Sequence, residues 1–148
     1  MAWSYEQQLR LQKEFDILSQ YFPGLNLVKV GANDCIEGYM YTNDKSLYKI
    51  RLYIPTDLPY SVPEVVITYP NPVKDFYGKD LNLHGASAAM HLLGSKDGYP
   101  KICTYKAEKW NSNVTFYKVL IKVRLWLEAL EGHIRTGQQM DHFLQHQI

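Results

Sequence analysis

Three prolines at four-residue spacing, Pro55, Pro59 and Pro63, divide this chain and limit what each part can become. Each removes a backbone donor, fixes its own φ and drives the residue before it towards extended geometry, so neither a helix nor a central strand runs through 55–63. The two parts must be joined by a stiff, extended connection. Before it lies the clearest strand, residues 47–54, where Tyr48, Ile50, Leu52 and Ile54 alternate with Leu47, Lys49, Arg51 and Tyr53. The alternation predicts that the first set faces a core and that the second is at least partly solvated. After it, 64–69 reads as a short strand.

The remaining elements arrange themselves around that division. Ser4 with Gln7 forms a capping-box pattern, and Leu11, Phe15, Leu18 and Phe22 recur at helical spacing until Pro23-Gly24, which predicts a first helix with its stripe on a sheet. Segments 25–30 and 35–42, rich in β-branched and aromatic residues and separated by turn residues, complete a four-stranded antiparallel meander with 47–54 and 64–69. Residues 70–89 hold Pro, Gly, Asn and small residues without a period and read as a long loop. Asn111-Ser112-Asn113 supplies a helix start. Phe116, Val119, Leu120, Val123, Leu127, Leu130 and Ile134 then form one apolar stripe that Gly137 ends. The tail, 138–148, can add a short helix with Met140, Phe143 and Leu144 on one side. With 148 residues and 46% hydrophobic content, the chain suffices for one α+β domain spanning 1–148.

A net charge of +1 calls for neither a nucleic-acid nor a membrane-surface partner. No stretch approaches the roughly 18 apolar residues of a membrane span, and MAWSYEQQLR lacks a basic segment followed by an apolar run, so the expectation is a cytoplasmic protein. There Cys35 and Cys103 should be two free thiols. His84, His91, His133, His142 and His146 show no metal-type spacing with them, so neither a metal nor another bound cofactor is expected. Cys35 shares the parity of Glu37, Tyr39 and Tyr41, which puts its thiol on the more polar face.

Cys103 stands apart, in GYPKICTYKAEKW. Gly98, Tyr99 and Pro100 break regular structure before it, which predicts a surface loop over 98–109 and a partly accessible thiol. Lys101, Lys106 and Lys109 surround it in sequence. Trp110 is read as an anchor for the loop, and Asn111 and Asn113 as helix caps.

The PYSVPEV segment, His91, Gly98 before Ile102-Cys103, then Trp110 and the long helix resemble, in that order, the ubiquitin-conjugating enzyme superfamily, most closely its small bacterial members. The resemblance implies a fold with an N-terminal helix, the meander, an active-site loop and a long C-terminal helix. It also implies that Cys103 carries the C-terminus of a modifier as a thioester and passes it to a lysine amine. The chain departs from the family's His-Pro-Asn motif. Tyr69-Pro70-Asn71 lies too far from the cysteine, and His91-Leu92-Leu93 is the positional match, without the asparagine. His91 is accordingly the candidate hydrogen-bond donor or base.

By the same resemblance the partners are a ubiquitin-like modifier, or a cyclic-nucleotide synthase of the cyclase-like nucleotidyltransferase type ending in glycine, as in antiphage defence. Lysine-bearing targets and a separate activating enzyme complete the set. In the family the first helix offers basic residues to that enzyme, whereas here Arg10 and Lys13 are offset by Glu6, Glu14 and Asp16. Two rival readings stay open: a non-catalytic binding module of the same fold, and a cysteine hydrolase, for which no Asn or Asp partner to a Cys-His pair can be placed from sequence.

Overall fold

In a computed structural model, which describes residues 2–144, the alternating stretch before the prolines becomes an interior strand of an antiparallel sheet. The expected meander is present as β1 (Leu25–Val30), β2 (Asn33–Tyr41), β3 (Leu47–Tyr53) and β4 (Glu64–Tyr69). Three further strands, β5 (Ala86–Ser87), β6 (Leu92–Lys96) and β7 (Tyr99–Ile102), extend it to seven in the order β1-β2-β3-β4-β7-β6-β5. The four-stranded expectation is thus corrected, and the physical reason is local. Asp97 and Gly98 both take positive φ, 54° and 83°, which makes them the two-residue turn of a β6–β7 hairpin and not a break. Pro100 fits inside β7 because pairing with β4 is limited to Val65↔Ile102 and Val66↔Lys101; that ladder has ended before the residue with no N–H.

The helix α2 (Phe116–Thr136) crosses one face of the sheet. Thr115 caps it by accepting from the Lys118 N–H, and Gly137, at φ 78°, closes it. Asn111 and Asn113, expected as caps, instead form a turn ahead of it, with Asn111 Oδ1 accepting from Asn113 N–H. Ile36, Ile50, Leu52, Val65 and Ile67 meet Val119, Leu120, Val123, Trp126, Leu127 and Leu130 in the main core. Full burial of one such aliphatic side chain contributes about 1.5–3 kcal/mol. Trp126 belongs to this stripe and Ile134 does not, being 37% exposed.

On the opposite face Cys35, Tyr53 and Val66 form a second, smaller buried cluster edged by Val28, Val30 and Tyr99. Tyr53, expected to be solvated by alternation, is covered because its hydroxyl donates to Asp97 Oδ2 at 2.5 Å and the Arg51 guanidinium stacks on its ring.

The helix α1 (Tyr5–Tyr21) carries the capping box in both directions. Leu18 is buried, while Leu11 and Phe15 pack at the margin of the core. Glu14 is 1% exposed although charged. Its carboxylate accepts from the Phe116 N–H at 3.0 Å and from Arg10 Nε at 3.0 Å, and Arg10 donates further to the carbonyls of Ser112 and Val114. One ion pair therefore ties α1 to the lead-in and first turn of α2, with both oxygens of the Glu14 carboxylate partnered.

The stretch 70–89 is organised too. Asp75 accepts from the N–H groups of Tyr77 and Lys79 and bonds His84, and a short 3-10 turn spans Leu81–His84. The tail begins as expected with α3 (Met140–Leu144), whose Met140 and Leu144 are buried; residues 145–148 lie outside the described part. Among the described residues no helix is long and apolar enough to cross a membrane.

Candidate functional site

Cys103 lies one residue beyond the end of β7, where the chain leaves the sheet. Its neighbours Ile102 and Thr104 are buried, whereas Cys103 is half-buried. The expected surface loop over 98–109 is thus partly strand, and the expected accessibility of the thiol stands. Cys103 borders two hollows. The first, of about 520 Å³, is also lined by Ser87, His91, Lys106, Asp141 and Leu144. The second, of about 370 Å³, is lined by Pro63, Glu64, Tyr105 and Lys106 among others. The thiol and Lys106 belong to both.

His91 is joined to Cys103 through the backbone. The Cys103 N–H donates to the His91 carbonyl at 3.0 Å, and the Trp126 indole N–H donates to the same oxygen at 3.0 Å. The His91 N–H in turn donates to the Ala88 carbonyl at 3.2 Å. These bonds hold a non-glycine residue at φ 51°, a left-handed conformation costing of order 1–3 kcal/mol that persists only where the surroundings over-determine it. The ring is 9% exposed, and Nε2 lies 2.9 Å from Asp141 Oδ1. Nδ1 has no hydrogen-bond partner among the described residues. The carboxylate that sequence spacing does not supply therefore comes from α3, fifty positions along the chain.

Burial raises the Cys103 thiol above its ordinary range, while the positive charges of Lys106 and Lys122 pull it down. Lys122, on α2, was not foreseen; its ammonium sits 4.2 Å from the centre of the Tyr105 ring. Lys101, one of the lysines near the thiol in sequence, is bound to Glu64 at 3.0 Å. Ser87, also unforeseen, accepts from the Met90 N–H, and its own hydroxyl hydrogen has no acceptor among the described residues.

Trp110 anchors the loop as expected: its indole donates to the Pro59 carbonyl at 3.2 Å and its ring meets Tyr105 edge-on. The connection set by the three prolines is thus the loop's support. Asn71, Asn82 and Asn111 line neither hollow. Cys35 occupies the outer face, as its parity predicts, yet it is 0% exposed where a polar setting was expected; burial pushes its thiol up to about 11. The cover from Tyr53, Val66 and Tyr99 accounts for the difference.

Among the described residues no three His, Cys, Asp or Glu side chains gather where they could hold a metal ion. The chemistry available is that of one accessible thiol, an imidazole with a carboxylate behind it, a hydroxyl donor and a lysine. No family model matches the chain, and no curated protein and no solved structure gives a significant match.

Proposed function

We propose that this chain is a cysteine-dependent protein-conjugating enzyme of the ubiquitin-conjugating type. Cys103 takes the C-terminal acyl group of a modifier or cyclase-like partner as a thioester and passes it to a lysine amine. The observation that carries this reading is the position of the half-buried thiol on the ridge between two hollows, with His91 in one of them. Acyl transfer through a covalent intermediate needs an approach for the acyl chain and another for the nucleophile, and the ridge offers both. The order of helix, meander, thiol and second helix agrees with it.

Each residue then has a task. His91 accepts the proton of the attacking group, first the thiol and then the amine. Lys106 and the Ser87 hydroxyl face the oxygen that gains negative charge. Because Arg10 is held by Glu14 and two carbonyls, the first helix offers little free positive charge to an activating enzyme.

One observation favours a second reading, a cysteine hydrolase: the His91–Asp141 bond supplies the partner that a Cys-His pair lacked. The two readings differ in the acceptor, lysine or water. The test is incubation with a peptide thioester ending in glycine, followed by free lysine, with intact-mass detection. Conjugation predicts an acyl-protein that thiol reagents release and that lysine converts to an amide. Conversion to the free acid at the same rate with and without lysine selects the hydrolase, and absence of acyl-protein, amide and free acid alike contradicts both.

A further inference from the structure

Resting on the conjugation reading, we infer that Asp141 is the positioning residue that selects which nitrogen of His91 acts as base. His91 Nε2 is 2.9 Å from Asp141 Oδ1, and a carboxylate can only accept. Nε2 therefore carries the hydrogen in the neutral ring, and Nδ1 is left with its lone pair. Nδ1 has no partner among the described residues, and His91 lines the hollow that Cys103 also lines. The Asp141 side chain is 59% exposed, and what holds it near the ring is its backbone. The Asp141 N–H donates to the Ala89 carbonyl at 2.9 Å, and Met140 and Leu144, on either side of it, are buried at 0% and 5%. The loop with His91 and the helix with Asp141 are so connected by one backbone and one side-chain bond.

On this assignment Nδ1 is the proton acceptor in the hollow that Cys103 also lines, and no side-chain hydrogen bond joins the two among the described residues. A neutral lysine amine attacks the thioester carbonyl; the new C–N bond forms as the C=O pair moves onto oxygen. The ammonium proton passes to Nδ1, and Asp141 stabilises the imidazolium through Nε2–H. The C–S bond breaks as the carbonyl re-forms, and the Cys103 thiolate takes the proton from Nδ1. Thiol and neutral imidazole are restored. Among the described residues, the charged groups facing the ring's hollow are Lys106 from the loop after β7 and Asp141 from α3; Cys103 is a further titratable group there, Lys122 of α2 acts on it electrostatically, and Trp126 of α2 donates to the His91 carbonyl.

Two measurements on the full chain test the assignment. Nitrogen-15 spectra of the imidazole report the tautomer whether or not acyl transfer occurs. The expected result is Nε2–H in the parent protein and a mixture of tautomers in Asp141→Asn; Nδ1–H in the parent, or an unchanged ring in the variant, overturns the proposal. In single-turnover discharge of acyl-Cys103 to free lysine, Asp141→Asn should slow the reaction by about 10-fold to 100-fold, less than loss of the base itself. Asp141→Glu should recover part of the rate. A slower variant whose ring keeps the parent's tautomer contradicts the assignment and reduces Asp141 to a structural tie. If the parent never forms acyl-Cys103 although the tautomer is as expected, the conjugation reading falls and its proton route falls with it.

Discussion

The two cysteines differ in everything except their chemistry. Cys35 sits within β2 under Tyr53, with 0% exposure and a thiol raised to about 11. Cys103 sits just past β7, half-buried, with two lysines opposing the effect of burial. Both lie next to a strand end or turn in sequence, so neighbouring residues alone do not separate them. What separates them is what the rest of the sheet places around each: a cover of Tyr53, Val66 and Tyr99 in one case, and two open hollows in the other. Reactivity at a thiol is a property of its cover more than of its neighbours in the chain.

The sharpest way to break this comparison is alkylation of the folded protein. Iodoacetamide should modify Cys103 at least ~10²-fold faster than Cys35, since Cys35 reacts only after local opening of the sheet. Equal rates, read by peptide mapping over a time course, would mean that the cover over Cys35 is not there. Stability gives the reverse ranking. Cys35→Ser puts a hydroxyl where no solvent reaches and should cost about 1–3 kcal/mol in urea unfolding, whereas Cys103→Ser should stay within roughly 0.5 kcal/mol. If the two costs are equal, the burial difference is wrong.

The smallest effect is in acid. Burial pushes the Glu37 carboxyl up, but hydrogen bonds from Arg51 and Lys49 outweigh it and hold the group below its usual range. A carboxyl lowered by folding stabilises the protein above its unfolded value of ~4.3, and that stability is lost as pH falls through the folded value. Glu64, beside Cys103, is lowered in the same sense by Lys101 and Lys96 against its burial, yet its side chain is 44% exposed against 14% for Glu37. Screening by water should therefore make Glu37→Gln flatten the acid limb of stability more than Glu64→Gln. The opposite order in urea midpoints between pH 5 and pH 3 would place the stronger network on the Cys103 side.

What the sequence made legible was whatever depends on local period and local chemistry. The capping box at Ser4, the core set of β3 and most of the α2 stripe are of that kind. Two misses had a signal that could have been used. Asp97-Gly98 is the dipeptide of a tight hairpin, and Trp126 stands three residues after Val123 and four before Leu130, at the spacing of the stripe. The others had none. Glu14 meets Phe116 across 102 positions and His91 meets Asp141 across 50, and no periodicity encodes a pair of that kind. The cover on Cys35 is likewise made by Tyr53, paired opposite it from the next strand. Parity identified its face without showing that the face is roofed there.

The account stands or falls on which thiol carries an acyl group. The direct measurement is exposure of the parent, Cys35→Ala and Cys103→Ala proteins to the same glycine-ended peptide thioester, with the acylated residue located by mass spectrometry of peptides. The expected result is a reductant-sensitive acyl group on Cys103 in the parent and in Cys35→Ala, and none in Cys103→Ala. An acyl group that persists in Cys103→Ala, on Cys35 or elsewhere, would contradict it.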